Sequence, residues 1–224
     1  MQVAAHGGDN PAAVLPELAS VPWRKPTDAV WLRRHARLWR AWTLLYTVPF
    51  ALAGVGMVLL EPLAAPVAFA VLAHAWIIPE LYAFRGASVV RPKGPRNAGS
   101  EPLAQGFLAD LLDHDARDLQ HCTGLALEPA EMGIWLVGEA GALLFAPGGR
   151  RVHCFCVRTT ETELPPSDRV AHLLLALRTD ELGFATVANH AFAGASWRVR
   201  RRMPKRMRPA LDAARAAARS IPAD

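Results

Sequence analysis

The sequence predicts a membrane α-helical hairpin of two transmembrane (TM) helices, followed by a cytoplasmic α+β domain with a mostly antiparallel sheet. Three observations predict it. Residues 41–60 are twenty consecutive positions without a charged side chain. Residues 63–84 form a second apolar run, separated from the first only by Glu61 and Pro62. From residue 97 onward the composition is ordinary, and apolar residues recur with periods of two and of 3.6, the patterns of half-buried strands and helices.

The chain has 224 residues, of which 52% are hydrophobic and 20% charged. This is more apolar and less charged than a typical soluble domain, and the excess is concentrated in residues 41–84. Lys25, Lys93 and Lys205 are the only lysines among 25 basic residues, and alanine is abundant. That bias fits a high-GC bacterial genome. The cysteines are three, Cys122, Cys154 and Cys156. An odd number without a secretory signal favours a reducing compartment over a disulfide scaffold. The first twenty residues hold neither Lys nor Arg nor an apolar core, so no signal peptide is expected there.

Residues 1–26, rich in Gly and Pro, read as a flexible tail. Residues 27–41 read as an interfacial amphipathic helix with Asp28 as its N-cap. Trp31, Leu38 and Trp42 lie near one face, with Arg33, Arg34, Arg37 and Arg40 around the rest. Residues 42–84 are the two-helix hairpin. Twenty helical residues at about 1.5 Å each span a hydrocarbon core of about 30 Å. The apolar side chains of the first span favour insertion by on the order of 3–5 kcal/mol before Pro49, Gly54 and Gly56 subtract. Residues 85–100 form a basic juxtamembrane linker carrying Arg85, Arg91, Lys93 and Arg96. Basic residues flank both outer ends of the hairpin, and its turn carries only Glu61. The positive-inside rule therefore expects a multi-pass protein of the bacterial cell (inner) membrane with both termini cytoplasmic.

In residues 101–224 we expect helices over 102–122, 166–181 and 204–219. Strands are expected over 133–138, 142–146, 152–160, 184–187 and 196–202. Charge is segregated. Arg198, Arg200, Arg201 and Arg202 open a basic C-terminal stretch, a match for anionic lipid head groups or for an acidic surface of the same domain.

Two clusters are candidates for chemistry. His114, Asp115 and His121, with Asp118, have the spacing of an acid–base group or a cation site on one helix. Asp115 falls by angle among Leu111, Leu112 and Leu119 unless the helix breaks there. Cys154 and Cys156 share a strand face opposite His153, and Cys122, His153, Cys154 and Cys156 are the candidate metal ligands, the two thiols joined by Cys122 or a histidine. Buried cysteine is nonetheless common in cores. His74 lies near the middle of the second span and Glu80 near its cytoplasmic end. The chain contains no dinucleotide or phosphate-binding glycine loop, no nucleophile elbow and no His-Glu-x-x-His zinc motif, and no cofactor is expected.

These features point first to a non-catalytic binding or scaffold protein at the inner membrane face. Its expected partners are the lipid bilayer, anionic lipid head groups and a second copy or another membrane protein. A membrane-bound enzyme acting on a lipid or nucleotide at the inner leaflet is the alternative. A membrane-tethered nucleic-acid-binding protein comes third.

Overall fold

A computed structural model of the chain describes residues 24–92, 99–157 and 164–222. Almost all of the tail, together with Lys93 and Arg96 of the basic linker and the end of the strand expected over 152–160, lies outside these residues.

Helix α1 (Ala29–Leu60) is continuous over 32 residues, about 48 Å at the helical rise. Asp28 caps it, accepting a hydrogen bond from the Trp31 backbone N–H at 2.7 Å. Residues 27–41 are thus not a separate interfacial helix but the first turns of this one. A single 3₁₀ turn (Pro62–Ala64) reverses the chain, and α2 (Ala65–Ser88) returns alongside α1. The two helices come close where Gly54 faces Leu72 and Ala68. A Cβ on Gly54 would sit 2.7 Å from Leu72 Cγ, so a larger residue there must push the helices apart. Both helices are long and apolar enough to cross a membrane. Away from their mutual contact, their distal halves expose large apolar side chains, among them Leu45, Leu52, Leu59, Leu60, Leu63 and Phe69.

The expected mostly antiparallel sheet is present, with five strands in the order of the chain: β1 (Ala126–Ala130), β2 (Gly133–Gly138), β3 (Gly141–Phe145), β4 (Arg151–Cys156) and β5 (Asn189–Ala195). Side chains alternate cleanly between the two faces. Ile134, Leu136, Leu143, Phe145, Val152 and Cys154 point one way, into a core shared with the end of α2 and the C-terminal helices. Trp135, Val137, Ala142, Leu144 and Phe155 point the other way, into a core shared with Leu32 of α1 and four shorter helices. The result is three layers, with helices on both faces of an antiparallel sheet.

Several expected elements take other forms. The helix expected over 102–122 is two helices, α3 (Glu101–Asp110) and α4 (His114–Thr123), broken at Leu111–Asp113, where Asp113 caps the second by accepting from Ala116 N–H at 2.8 Å. Gly124 ends α4 in the left-handed conformation (φ 75°) that glycine adopts without penalty. The helix expected over 166–181 ends at α5 (Pro166–Thr179). Residues 184–187, expected as a strand, belong to α6 (Glu181–Val187). Residues 196–202, likewise expected as a strand, are α7 (Ser196–Arg202). The strand lies between them as β5. A 3₁₀ turn (Lys205–Met207) and α8 (Arg208–Ser220) complete the chain.

The base of the hairpin is built into this sandwich at the β5 edge. Leu32 joins the core on one face of the sheet, while Ala83, Ala87, Val89 and Val90 join the core on the other. The helices thereby cover the edge that β5 would otherwise leave open. Gly86 makes the approach possible, because a Cβ there would lie 2.8 Å from Phe192 Cβ and 3.0 Å from Cys154 Sγ. An ion pair closes the joint: Arg202 of α7 holds the buried carboxylate of Glu80 at 2.6–2.8 Å. Arg202→Gln leaves that carboxylate without its countercharge. It should cost about 1–3 kcal/mol of stability in a thermal melt of the detergent-solubilised protein. Adding Glu80→Gln should recover part of the loss.

Candidate functional site at the base of the hairpin

Where the hairpin enters the sandwich, α1, α2, β5 and α7 enclose a cavity of about 410 Å³. Its apolar wall is aromatic, with Trp39, Trp42, Tyr82, Phe192 and Trp197. These rings are in mutual contact: Trp39 lies edge-on to Tyr82 (5.4 Å between centroids) and Phe192 (5.7 Å), and Trp42 to Tyr82 (4.9 Å). The contacts continue up α1, from Trp42 to Tyr46 (5.3 Å) and from Tyr46 to Phe50 (5.7 Å), so a lane of aromatic surface leads from the cavity onto the bare half of the hairpin.

Arg40 of α1, Arg150 and Arg151 at the start of β4, and Arg198 of α7 form the polar wall. No acidic side chain lines the cavity, and among the described residues these four guanidinium groups form no ion pair. Arg198 lies over the Trp197 ring at 5.3 Å, which orients a charge that has no carboxylate to hold it. Four uncompensated positive charges around one concavity produce a strong local attraction for an anion.

Three histidines meet beneath the cavity, between α1 and the sheet. His153 of β4 is buried, and its Nδ1 is 3.2 Å from Nε2 of His190 on β5. His35 of α1 stacks on Trp31 at 3.5 Å, with its centroid 6.1 Å from that of His190. Burial pushes His153 down to about 3 and His190 down to about 4, with neighbouring imidazoles adding to the effect. Both rings are therefore neutral at pH 7, one donating and the other accepting in their shared hydrogen bond. Among the described residues no group of three or more His, Cys, Asp or Glu side chains is placed to hold a metal ion.

The candidates from the sequence are dispersed. Asp115 is exposed in the first turn of α4; the break before His114 takes it out of the apolar stripe in which it falls by angle. His114 and Asp118 face solvent 4.0 Å apart. Exposed His121 and Cys122 border a second cavity of about 270 Å³, with Glu101, Glu139, Ser167 and Arg206. There Ser167 donates its hydroxyl to Glu101 at 2.6 Å, not to a histidine. Cys154 is buried beside Gly86, and burial pushes its thiol up, which keeps it protonated and unreactive. Cys156 lies at the end of the same strand, half-buried.

Of the basic residues, Arg33, Arg34, Arg37, Arg40 and Arg85 are exposed. Arg91 donates to the Arg202 carbonyl oxygen and covers the Phe84 ring. Arg200 is engaged by Asp212 (2.7 and 2.8 Å) and Arg202 by Glu80, while Arg201 lies over Trp76 at 5.8 Å. The C-terminal basic stretch is thus divided, with two arginines bound within the fold and Arg198 turned to the cavity. Arg150, Arg151, His35 and His190 escaped the sequence reading as site residues, and His153 entered it only as a candidate metal ligand. Their only signal was basic and imidazole side chains at strand ends, with nothing to show that those ends converge. No protein family, curated protein or solved structure matches the chain.

The histidine cluster makes stability depend on pH in a definite direction. Both folded-state values lie below the ordinary 6.5, so the unfolded chain takes up protons first. The contribution is complete above pH 6.5 and is lost as pH falls through about 4 toward 3. Tryptophan-fluorescence melts should therefore show a Tm that holds from pH 8 to 7 and drops progressively below 6.5. His190→Gln should flatten the drop.

Proposed function

We propose that the chain is a two-span membrane protein whose cytoplasmic α+β domain is a non-catalytic binding module held against the inner face of the bilayer. The observation that carries this reading is the bare apolar surface of the distal hairpin. Soluble proteins rarely leave apolar patches larger than a few hundred Å² facing water. Leu44, Leu45, Leu52, Leu59, Leu63, Val67 and Phe69 are exposed on both helices around the turn. A bilayer covers them without any further protein.

Charge orients the hairpin in this reading. Arg33, Arg34, Arg37 and Arg40 precede the apolar half of α1, Arg85 and Arg91 follow that of α2, and the turn between them carries Glu61. The positive-inside rule places the domain and both described chain ends in the cytoplasm. Trp39, Trp42, Tyr46, Trp76 and Tyr82 would then lie at the level of the head groups, as aromatic belts do. The arginine and alanine bias supports a bacterial inner membrane as the site.

Binding is favoured over catalysis because His114, Asp115 and Asp118 occupy an exposed helix face and not a cleft. Nucleic acid is the least supported partner, since Arg200 and Arg202 are consumed by Asp212 and Glu80.

Cysteine labelling tests the topology. Glu61→Cys should react with a membrane-impermeant maleimide on intact spheroplasts. Native Cys122, which is exposed on the domain, should react only after lysis. The chain should also stay in the membrane pellet after alkaline carbonate. Labelling of Cys122 in intact spheroplasts, or release by carbonate, would contradict the reading.

A further inference from the structure

Resting on the membrane reading above and deepening it, we infer that the cavity at the base of the hairpin binds the head group of one anionic glycerophospholipid from the inner leaflet. Its phosphate lies among Arg40, Arg150, Arg151 and Arg198, and one acyl chain lies along the Trp42–Tyr46–Phe50 lane of α1.

Three independent features define this occupant. The charge favours an anion: four arginines are among the residues lining one concavity and no carboxylate is, whereas Arg200 and Arg202 nearby have each found one. Guanidinium groups suit phosphate in particular, because their paired N–H donors match two phosphate oxygens at once. The second feature is the apolar wall. A free phosphate has nothing to place against Trp39, Trp42, Tyr82 and Phe192, while the glycerol backbone and first methylenes of a lipid do; a nucleotide base would stack on these rings but leave the Trp42–Tyr46–Phe50 lane without an occupant. The third is location. The lining includes both Arg40, the last charged residue of α1 before its uncharged run, and Leu44, an exposed residue within that run, so in the membrane reading the opening meets the level at which a lipid passes from head group to chain. The volume of about 410 Å³ lies within the ~300–1,000 Å³ of small-molecule sites.

The site differs from a polybasic surface, which attracts many lipids diffusely and loses them in salt. Here the arginines come from separate elements held by the sandwich, and the expected stoichiometry is one lipid per chain.

The test uses the full chain in nanodiscs of phosphatidylcholine alone or of phosphatidylcholine with phosphatidylglycerol. After release into mild detergent, retained lipid is counted by native mass spectrometry. One phosphatidylglycerol per chain should survive, with a preference over phosphatidylcholine of at least ~10-fold. Arg150→Gln with Arg198→Gln should reduce retention ~10–100-fold. The charge-matched pair Lys205→Gln with Arg219→Gln, exposed and outside the cavity, should retain it. Should the double arginine variant misfold, the wild-type Tm decides, since phosphatidylglycerol must raise it and phosphatidylcholine must not. Displacement by 10 mM inorganic phosphate would overturn the lipid assignment in favour of a phosphate site. Equal retention of both lipids, or none, by a chain that resists carbonate would overturn the inference and leave the membrane reading standing. Release by carbonate would overturn both.

Discussion

Burial of the hairpin's base against both faces of one sheet is the constraint on which the rest of the structure depends. Leu32 of α1 enters one core, and Ala83, Ala87, Val89 and Val90 of α2 enter the other. Two helices that diverge around a sheet edge must do so at a fixed position, and here the position is β5. Gly86 allows the backbone of α2 to come within side-chain contact of Phe192 and Cys154. Glu80 and Arg202 then lock the base of the hairpin to α7. Without the hairpin, β5 would present an open edge and each core would lose one wall.

The cavity follows from that joint. Rigid helices that meet a twisted sheet at its edge leave a wedge between them, and the chain fills it incompletely with rings. Large flat side chains make a wall without closing the space. The arginines sit where β4 begins, in the first turn of α7 and on α1, so their proximity is a product of the docking geometry. The histidines are another. His35 reaches His190 only because α1 crosses the sheet at β5, and the burial that keeps His153 neutral is supplied partly by that helix.

Much of the backbone was legible in the sequence, for reasons that particular residues show. Asp28, the uncharged run to Leu60 and the short turn at Glu61 specify the helical pair with strong local signals. Strands β2, β3 and β4 are short, largely apolar segments set off by glycine-containing turns, and successive side chains face opposite cores as period two requires. What escaped had conflicting local chemistry. Strand β1 carries Glu128 and Pro129, and β5 carries Asn189, His190 and Gly194, all poor strand formers that pair because a neighbour offers a ladder. Their flanks, Phe184–Val187 and Ser196–Arg202, look extended in isolation yet wind into helices that turn the chain at each end of β5. The long helix expected through Leu111 broke because Asp113 caps a new one. The cavity was invisible for a different reason: its lining comes from stretches over 150 residues apart, and no local pattern records such a convergence.

Residues 97–224 look like a self-sufficient domain by composition, but the packing says that the hairpin is one of its walls. Thermal unfolding of a fragment spanning residues 97–224 tests this most directly, measured by near-ultraviolet circular dichroism beside the full chain in the same detergent. The fragment should lack a cooperative transition and a fixed aromatic signal, because the β5 edge and both cores are left open. A fragment that melts cooperatively at the full chain's Tm would contradict it.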